Sequence, residues 1–135
     1  MSGGFFAGRR PTDLGVHQGR LKACPKTPNC VCSQSGDDKH HIAPLKSSRL
    51  KGAALIERIA EVLASWERTE IVTRREDYLH AECRSRMMGF TDDLECFWSE
   101  DEQVCHVRSA SRLGKSDFDK NRNRVEQLRS ALKTG

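Results

Sequence analysis

Between residues 69 and 109 apolar and polar side chains alternate with a period of two, and no other feature constrains the fold as tightly. Successive side chains of a strand point to opposite faces of a sheet, so this period predicts strands with one apolar face. In 78–87, Leu79, Ala81, Cys83 and Ser85 fall on one side, with Tyr78, His80, Glu82, Arg84 and Arg86 on the other. In 93–99, Leu94, Cys96 and Trp98 oppose Glu95 and Phe97; in 103–109, Cys105 and Val107 oppose His106 and Arg108. A further strand is predicted over 69–74 from the β-branched run Ile71-Val72-Thr73. Glu76-Asp77, the 88–92 loop with Gly89, and the acidic turn 100–102 are too short for crossovers, so the strands form an antiparallel meander.

Two segments switch to helical spacing. Leu55, Ile56, Ile59, Val62, Leu63 and Trp66 make one stripe, with Glu57, Arg58, Glu61 and Glu67 mostly between them, predicting an amphipathic helix over about 50–66. A second helix starts at an expected N-cap, Ser116, with Asp117 and Asp119 where the helix dipole favours negative charge. Its stripe is Phe118, Val125, Leu128 and Leu132. A short edge strand is expected at 40–45, where Pro44 is tolerable. The expected order is β-α-β-β-β-β-α. The expected fold class is α+β, an antiparallel meander of four to five strands with both helices on the face carrying Leu79, Leu94 and Val107.

The first 38 residues follow no period and hold three of the four prolines, Pro11, Pro25 and Pro28. They are expected to form an irregular arm (1–38) ahead of one domain (39–135), anchored by Phe5, Phe6, Leu14, Val16, Leu21 and Val31. A chain of 135 residues suffices for one core without metal or disulfide support. Only 36% of residues are hydrophobic against 31% charged, so that core is thin beneath a heavily charged surface.

Composition also narrows the function. The 23 basic residues are interspersed with 19 acidic ones, and there is a single Tyr. A nucleic-acid module shows a denser basic stripe with stacking aromatics, so nucleic acid is not an expected partner. No apolar run approaches the ~20 residues that span a bilayer. The start lacks the apolar core of a secretory signal, which points to the cytosol. Six cysteines there would by default be free thiols.

Four constellations carry candidate chemistry. On the polar sheet face, Glu82, Arg84 and Arg86 share a side by their spacing, Glu95, His106 and Arg108 sit on neighbouring strands, and Arg112 follows beyond a strand end. Guanidinium forks suit carboxylates and phosphates, and adjacent glutamates would hold them in place. The plainer reading is a solvated face of cross-strand ion pairs, each contributing about 0.2–1 kcal/mol. Were the arm to pack over this face, the network would be buried and serve structural specificity instead of binding. Cys24, Cys30 and Cys32, with His40 and His41 further on, are the nearest approach to a metal site, but zinc commonly takes two close pairs of ligands, the five-residue gap is irregular and no second Cys pair exists. No metal or other cofactor is therefore expected. The 108–117 loop brings hydroxyls, Arg112, Lys115 and a helix start at Ser116 together and could hold an anion, though it lacks the glycine-rich phosphate-loop spacing. Ser109, Ser111 and Ser116 with His80, His106, Asp92 and Asp93 could support a nucleophile, but no Gly-x-Ser-x-Gly elbow surrounds any of these serines.

Three stretches carry a resemblance. They are Cys24-Pro-Lys-Thr-Pro28-Asn29-Cys30-Val31; His80-Ala81-Glu82-Cys83-Arg84-Ser85-Arg86 through Gly89-Phe90 to Asp92-Asp93; and His106-Val107-Arg108-Ser109-Ala110-Ser111-Arg112 continuing to Gly114, Ser116-Asp117 and Asn121-Arg122-Asn123-Arg124-Val125-Glu126. The chain resembles an uncharacterised bacterial and plastid family, domain-of-unknown-function family 1499, and the stretch from Gly8 to Val16 looks similar too. The resemblance implies no activity, substrate or cofactor. Some similar proteins carry export or lipoprotein leaders, and in such relatives a Cys24–Cys30 disulfide would be at home. Ser is more usual at the position of Cys32, which weighs against Cys32 as an essential ligand.

The preferred expectation is a non-enzymatic binding or accessory domain that engages an anionic small molecule or a protein partner. Glu82, Arg84, Arg86, Glu95, Arg108, Arg112 and Ser116 are its candidate residues. The alternatives are a metal- or thiol-dependent protein using Cys24, Cys30 and Cys32, and a hydrolase or transferase using the 108–117 loop.

Overall fold

The alternating segments pair as their periodicity predicts. The protein is seen in a computed structural model that describes residues 8–86, 90–113 and 119–133. The elements are β1 (Cys30–Cys32), α1 (Gly52–Ala64), β2 (Thr69–Arg74), β3 (Tyr78–Arg84), β4 (Thr91–Ser99), β5 (Val104–Ser111) and α2 (Lys120–Lys133). The strands form one antiparallel sheet in the order β1-β5-β4-β3-β2. The architecture is α+β.

Register explains the two faces. Leu79 lies opposite Cys96, and Cys96 opposite Val107, so these apolar groups line up across three strands. Leu55, Ile56, Ile59 and Leu63 of α1 and Val125, Leu128 and Leu132 of α2 pack against them in one core. Each such side chain, fully buried, stabilises the fold by about 1.5–3 kcal/mol. One residue out of step, His80, Glu95, Arg108 and Cys32 line up on the opposite face.

Three local expectations are corrected. Segment 40–45 is not a strand: it makes only isolated bridges, His41 with Cys32 and Leu45 with Cys105. Pro44 has no N–H to offer a ladder. The carbonyls of Ala43 and Pro44 instead accept hydrogen bonds from Arg129 at 2.8 and 2.7 Å, and that of His41 accepts one from Arg122 at 2.9 Å. Two arginines of α2 thus hold this segment where a strand partner was expected. The fifth strand is Cys30–Cys32, from inside the segment read as irregular. It turns Val31 into the main core and Cys32 toward the opposite face. β3 also ends at Arg84, three residues short of the expected limit.

Residues 8–24 cross the polar face of the sheet. Leu21 and Val16 pack there with Tyr78, Phe97, Cys32 and Cys24 in a small second cluster. Phe5, Phe6, Phe118 and Ser116, to which the sequence assigned anchoring, packing and capping roles, lie outside the described residues.

Candidate functional site

The arm covers the charges. Glu82, Asp93, Glu95 and Arg108 are between 0 and 7% exposed, against the solvated face that is the plainer sequence expectation. Cross-strand neighbours hold them in rows: Glu82 opposite Asp93 on β3 and β4, and Glu95 opposite Arg108 on β4 and β5.

One end of this layer is closed by pairing. Arg112, just past β5, donates to both oxygens of Asp93 at 2.9 Å and also to Glu82. His80 bonds Asp93 at 2.7 Å. Arg10 reaches down from the arm to the same glutamate with both a short Nε contact and an Nη2 contact at 3.0 Å. Hydrogen bonds from Arg10 are the largest influence holding the Glu82 carboxyl below its ordinary range, and Arg112 adds to them. For Asp93, burial pushes upward, but the Arg112 and His80 bonds together outweigh it and the carboxyl titrates low. His80, Glu82 and Asp93 present ligand-capable atoms within 4.8 Å of one another. The cation that such a cluster requires is supplied by the Arg112 guanidinium.

Gly8 and Gly15 make the covering possible. Gly8 has φ +85°, and a Cβ there would stand 2.9 Å from the Cβ of Arg112. Gly15 has φ +104°, which only glycine adopts readily, and its N–H donates to Glu95 at 2.8 Å. Tyr78 also donates to Glu95, and burial, reinforced by that carboxylate, pushes the phenol far above its usual range.

Arg108 is the exception. Its side chain is 5% exposed, and its sole ion pair among the described residues is with Glu95 at 3.8 Å, too long for a hydrogen bond. Its guanidinium makes no hydrogen bond among the described residues, and Nε is fully shielded from solvent. Glu95 Oε1 is likewise without a hydrogen-bond partner. Arg108 borders a cavity of about 400 Å³ between arm and sheet. Arg9, Pro11, Leu14 and Lys22 of the arm line one side, with Ala110 and Arg112 on the sheet side.

The structure thus brings Glu82, Glu95, Arg108 and Arg112 into one layer. Arg84 and Arg86 do not join it: both are exposed at and beyond the end of β3, and Arg84 borders a separate, open cavity with Arg68, Lys120 and Arg124. Of the expected anion loop, residues 108–111 are the end of β5 and not loop, while residues 114–117, with Ser116, lie outside the described residues. Sequence reasoning missed Arg10, Gly15, Lys22 and the pairing role of Asp93. Asp93 was legible from its parity with Glu95. Arg10 and Gly15 fall in the stretch that resembles the family, but nothing there told which way they face, because an irregular segment has no period to assign a facing side.

Cys24 and Cys30 form a disulfide, correcting the free-thiol default. Bonded sulfurs are not thiolate ligands, so Cys32 alone of the three retains a thiol, and burial raises its pKa. Of the serines considered as nucleophiles, Ser109 donates to Asn121 at 2.7 Å and Ser111 accepts from Asn121 at 2.9 Å, tying β5 to α2.

These features define an α+β domain whose second sheet face is a buried charge layer roofed by its own N-terminal segment. The chain belongs to the DUF1499 family, proteins of unknown function, which it matches over residues 20–132. A comparison with curated proteins finds no match. No helix among the described residues is long and apolar enough to cross a membrane.

Proposed function

We propose that this is a non-enzymatic binding or accessory domain that takes an anion at Arg108, in the cavity between arm and sheet. The observation that carries this reading is the Arg108 guanidinium, buried and without a hydrogen bond among the described residues. A buried charge left so poorly paired costs several kcal/mol, and an anionic group in the adjoining cavity would offset that cost with charge-assisted hydrogen bonds. Glu82, Asp93, Arg10 and Arg112 play another part in this reading. They are paired with one another, and they hold the arm down as the roof of the site.

The experiment is a titration of the intact chain with inorganic phosphate and with acetate, followed by amide shifts and melting temperature. Binding raises the melting temperature through linkage. The reading predicts saturable shifts around residues 108–112 and a rise of a few degrees, both lost in Arg108→Gln and kept in Arg84→Ala. Equal responses in the two variants, or none in the wild type, would remove it.

The cysteine-based alternative is served by the same preparation. Cys24 and Cys30 are bonded, and a disulfide persists more readily in an oxidising compartment than in the cytosol expected from the sequence. Thiol counting on protein purified from each setting decides between the two.

A further inference from the structure

We infer that the ligand of the Arg108 cavity is a small amphiphilic carboxylate, a single negative charge on an apolar body, and not a multiply charged phosphate ester. This rests on the anion reading above and narrows it.

Charge in the layer is nearly balanced. Glu82, Asp93 and Glu95 stand against Arg10, Arg108 and Arg112, with Arg10 and Arg112 consumed by Glu82 and Asp93. At the mouth, Lys22 is paired with Asp13 at 3.0 Å, leaving Arg9. With histidine counted as neutral, three carboxylates meet Arg108 and Arg112 within the layer and Arg10 at its half-exposed edge, and two cations meet one carboxylate at the rim. The surplus is one positive charge. A single carboxylate balances it, whereas a phosphate monoester or a nucleotide would bring two or more negative charges beside Asp93, where like charges repel.

The walls point the same way. Pro11 and Leu14 from the arm, Ala23 and Pro25 from the segment before β1, and Ala110 from β5 give the cavity a largely apolar lining beside its basic end. Among the described residues no aromatic side chain lines it. At about 400 Å³ it has the size of a small-molecule site. A carboxylate would take the free guanidinium edge of Arg108, and a short alkyl or alicyclic body would lie against Leu14 and the prolines. Each methylene so buried tightens binding about fourfold.

The test is calorimetry on the intact chain with acetate, hexanoate, hexanol and inorganic phosphate. Hexanoate is expected to bind at least tenfold more tightly than acetate, hexanol weakly, and Arg108→Gln to lose most of the hexanoate affinity. Arg9→Glu, at an exposed rim position with no ion pair among the described residues, is expected to weaken hexanoate severalfold and decides the matter even if Arg108→Gln does not fold. Phosphate binding that depends on Arg108, with hexanoate no tighter than acetate, would overturn this inference and leave the anion reading standing. No binding of any anion would overturn both. Hexanoate binding unchanged in both variants would also sink the proposal, since it would mark adsorption to an apolar surface elsewhere.

Discussion

Asp93 shows how much one side chain carries here. It accepts from Arg112 at both oxygens and from His80, at 2% exposure. Asp93→Asn keeps the shape but leaves the Arg112 guanidinium, 3% exposed, short of one countercharge. Removing one partner of a buried pair costs about 3–5 kcal/mol, so urea unfolding of Asp93→Asn should show a loss of that order. A loss under 1 kcal/mol would mean that the pair is solvated in solution. Gly8 makes a similarly sharp point. A methyl group there meets Arg112 at 2.9 Å in a left-handed backbone, so Gly8→Ala should loosen the arm while leaving the core intact. Limited proteolysis should then cut ahead of residue 16 sooner than in the wild type, and an unchanged cleavage rate would contradict the packing. The sequence exposed Asp93 only as the residue two before Glu95. Its partners lie 13 and 19 positions away and could be found only once the register was known.

At the scale of elements, the two-residue period placed β3, β4 and β5 on their faces, and the helical stripe placed α1. The physical reason is that these elements are amphipathic, so each residue's side is written locally. Ile59→Ala in α1 removes a fully buried side chain and should cost about 2–5 kcal/mol in urea unfolding, while Glu61→Ala, on the exposed side, should change stability by under 0.5 kcal/mol. Segment 40–45 read as a strand because its apolar residues suit one, yet the deciding groups are Arg122 and Arg129, some eighty residues later. β1 was hidden for the opposite reason. Three residues are too short for a period, and the segment is pinned by its ladder to β5 and by the Cys24–Cys30 bond. Replacing both cysteines by Ser opens a loop of sequence separation 6 and should cost about 2 kcal/mol by loop entropy. A larger loss would mean that β1 itself unpairs.

For the whole molecule, the sheet is a partition with hydrocarbon on one side and ion pairs on the other, and the arm turns the second side into an interior. That arrangement has an acid limit. Glu82 and Asp93 both titrate below their ordinary values, so their contribution to stability is present above the ordinary carboxylate range, about 4, and drains away as pH falls through the lowered folded-state values. The urea midpoint should therefore fall on acidification from pH 5 to pH 3, more steeply in the wild type than in Asp93→Asn.

Hydrogen exchange at the Gly15 amide tests the covered layer most directly, because that N–H has its partner only if the arm lies on the sheet with Glu95 beneath it. Its exchange is expected to be slowed by orders of magnitude relative to an unstructured chain, and to quicken in Glu95→Ala. Exchange at the rate of a free peptide in the intact protein would show the charged face to be open to water, and the site drawn beneath the arm would not exist.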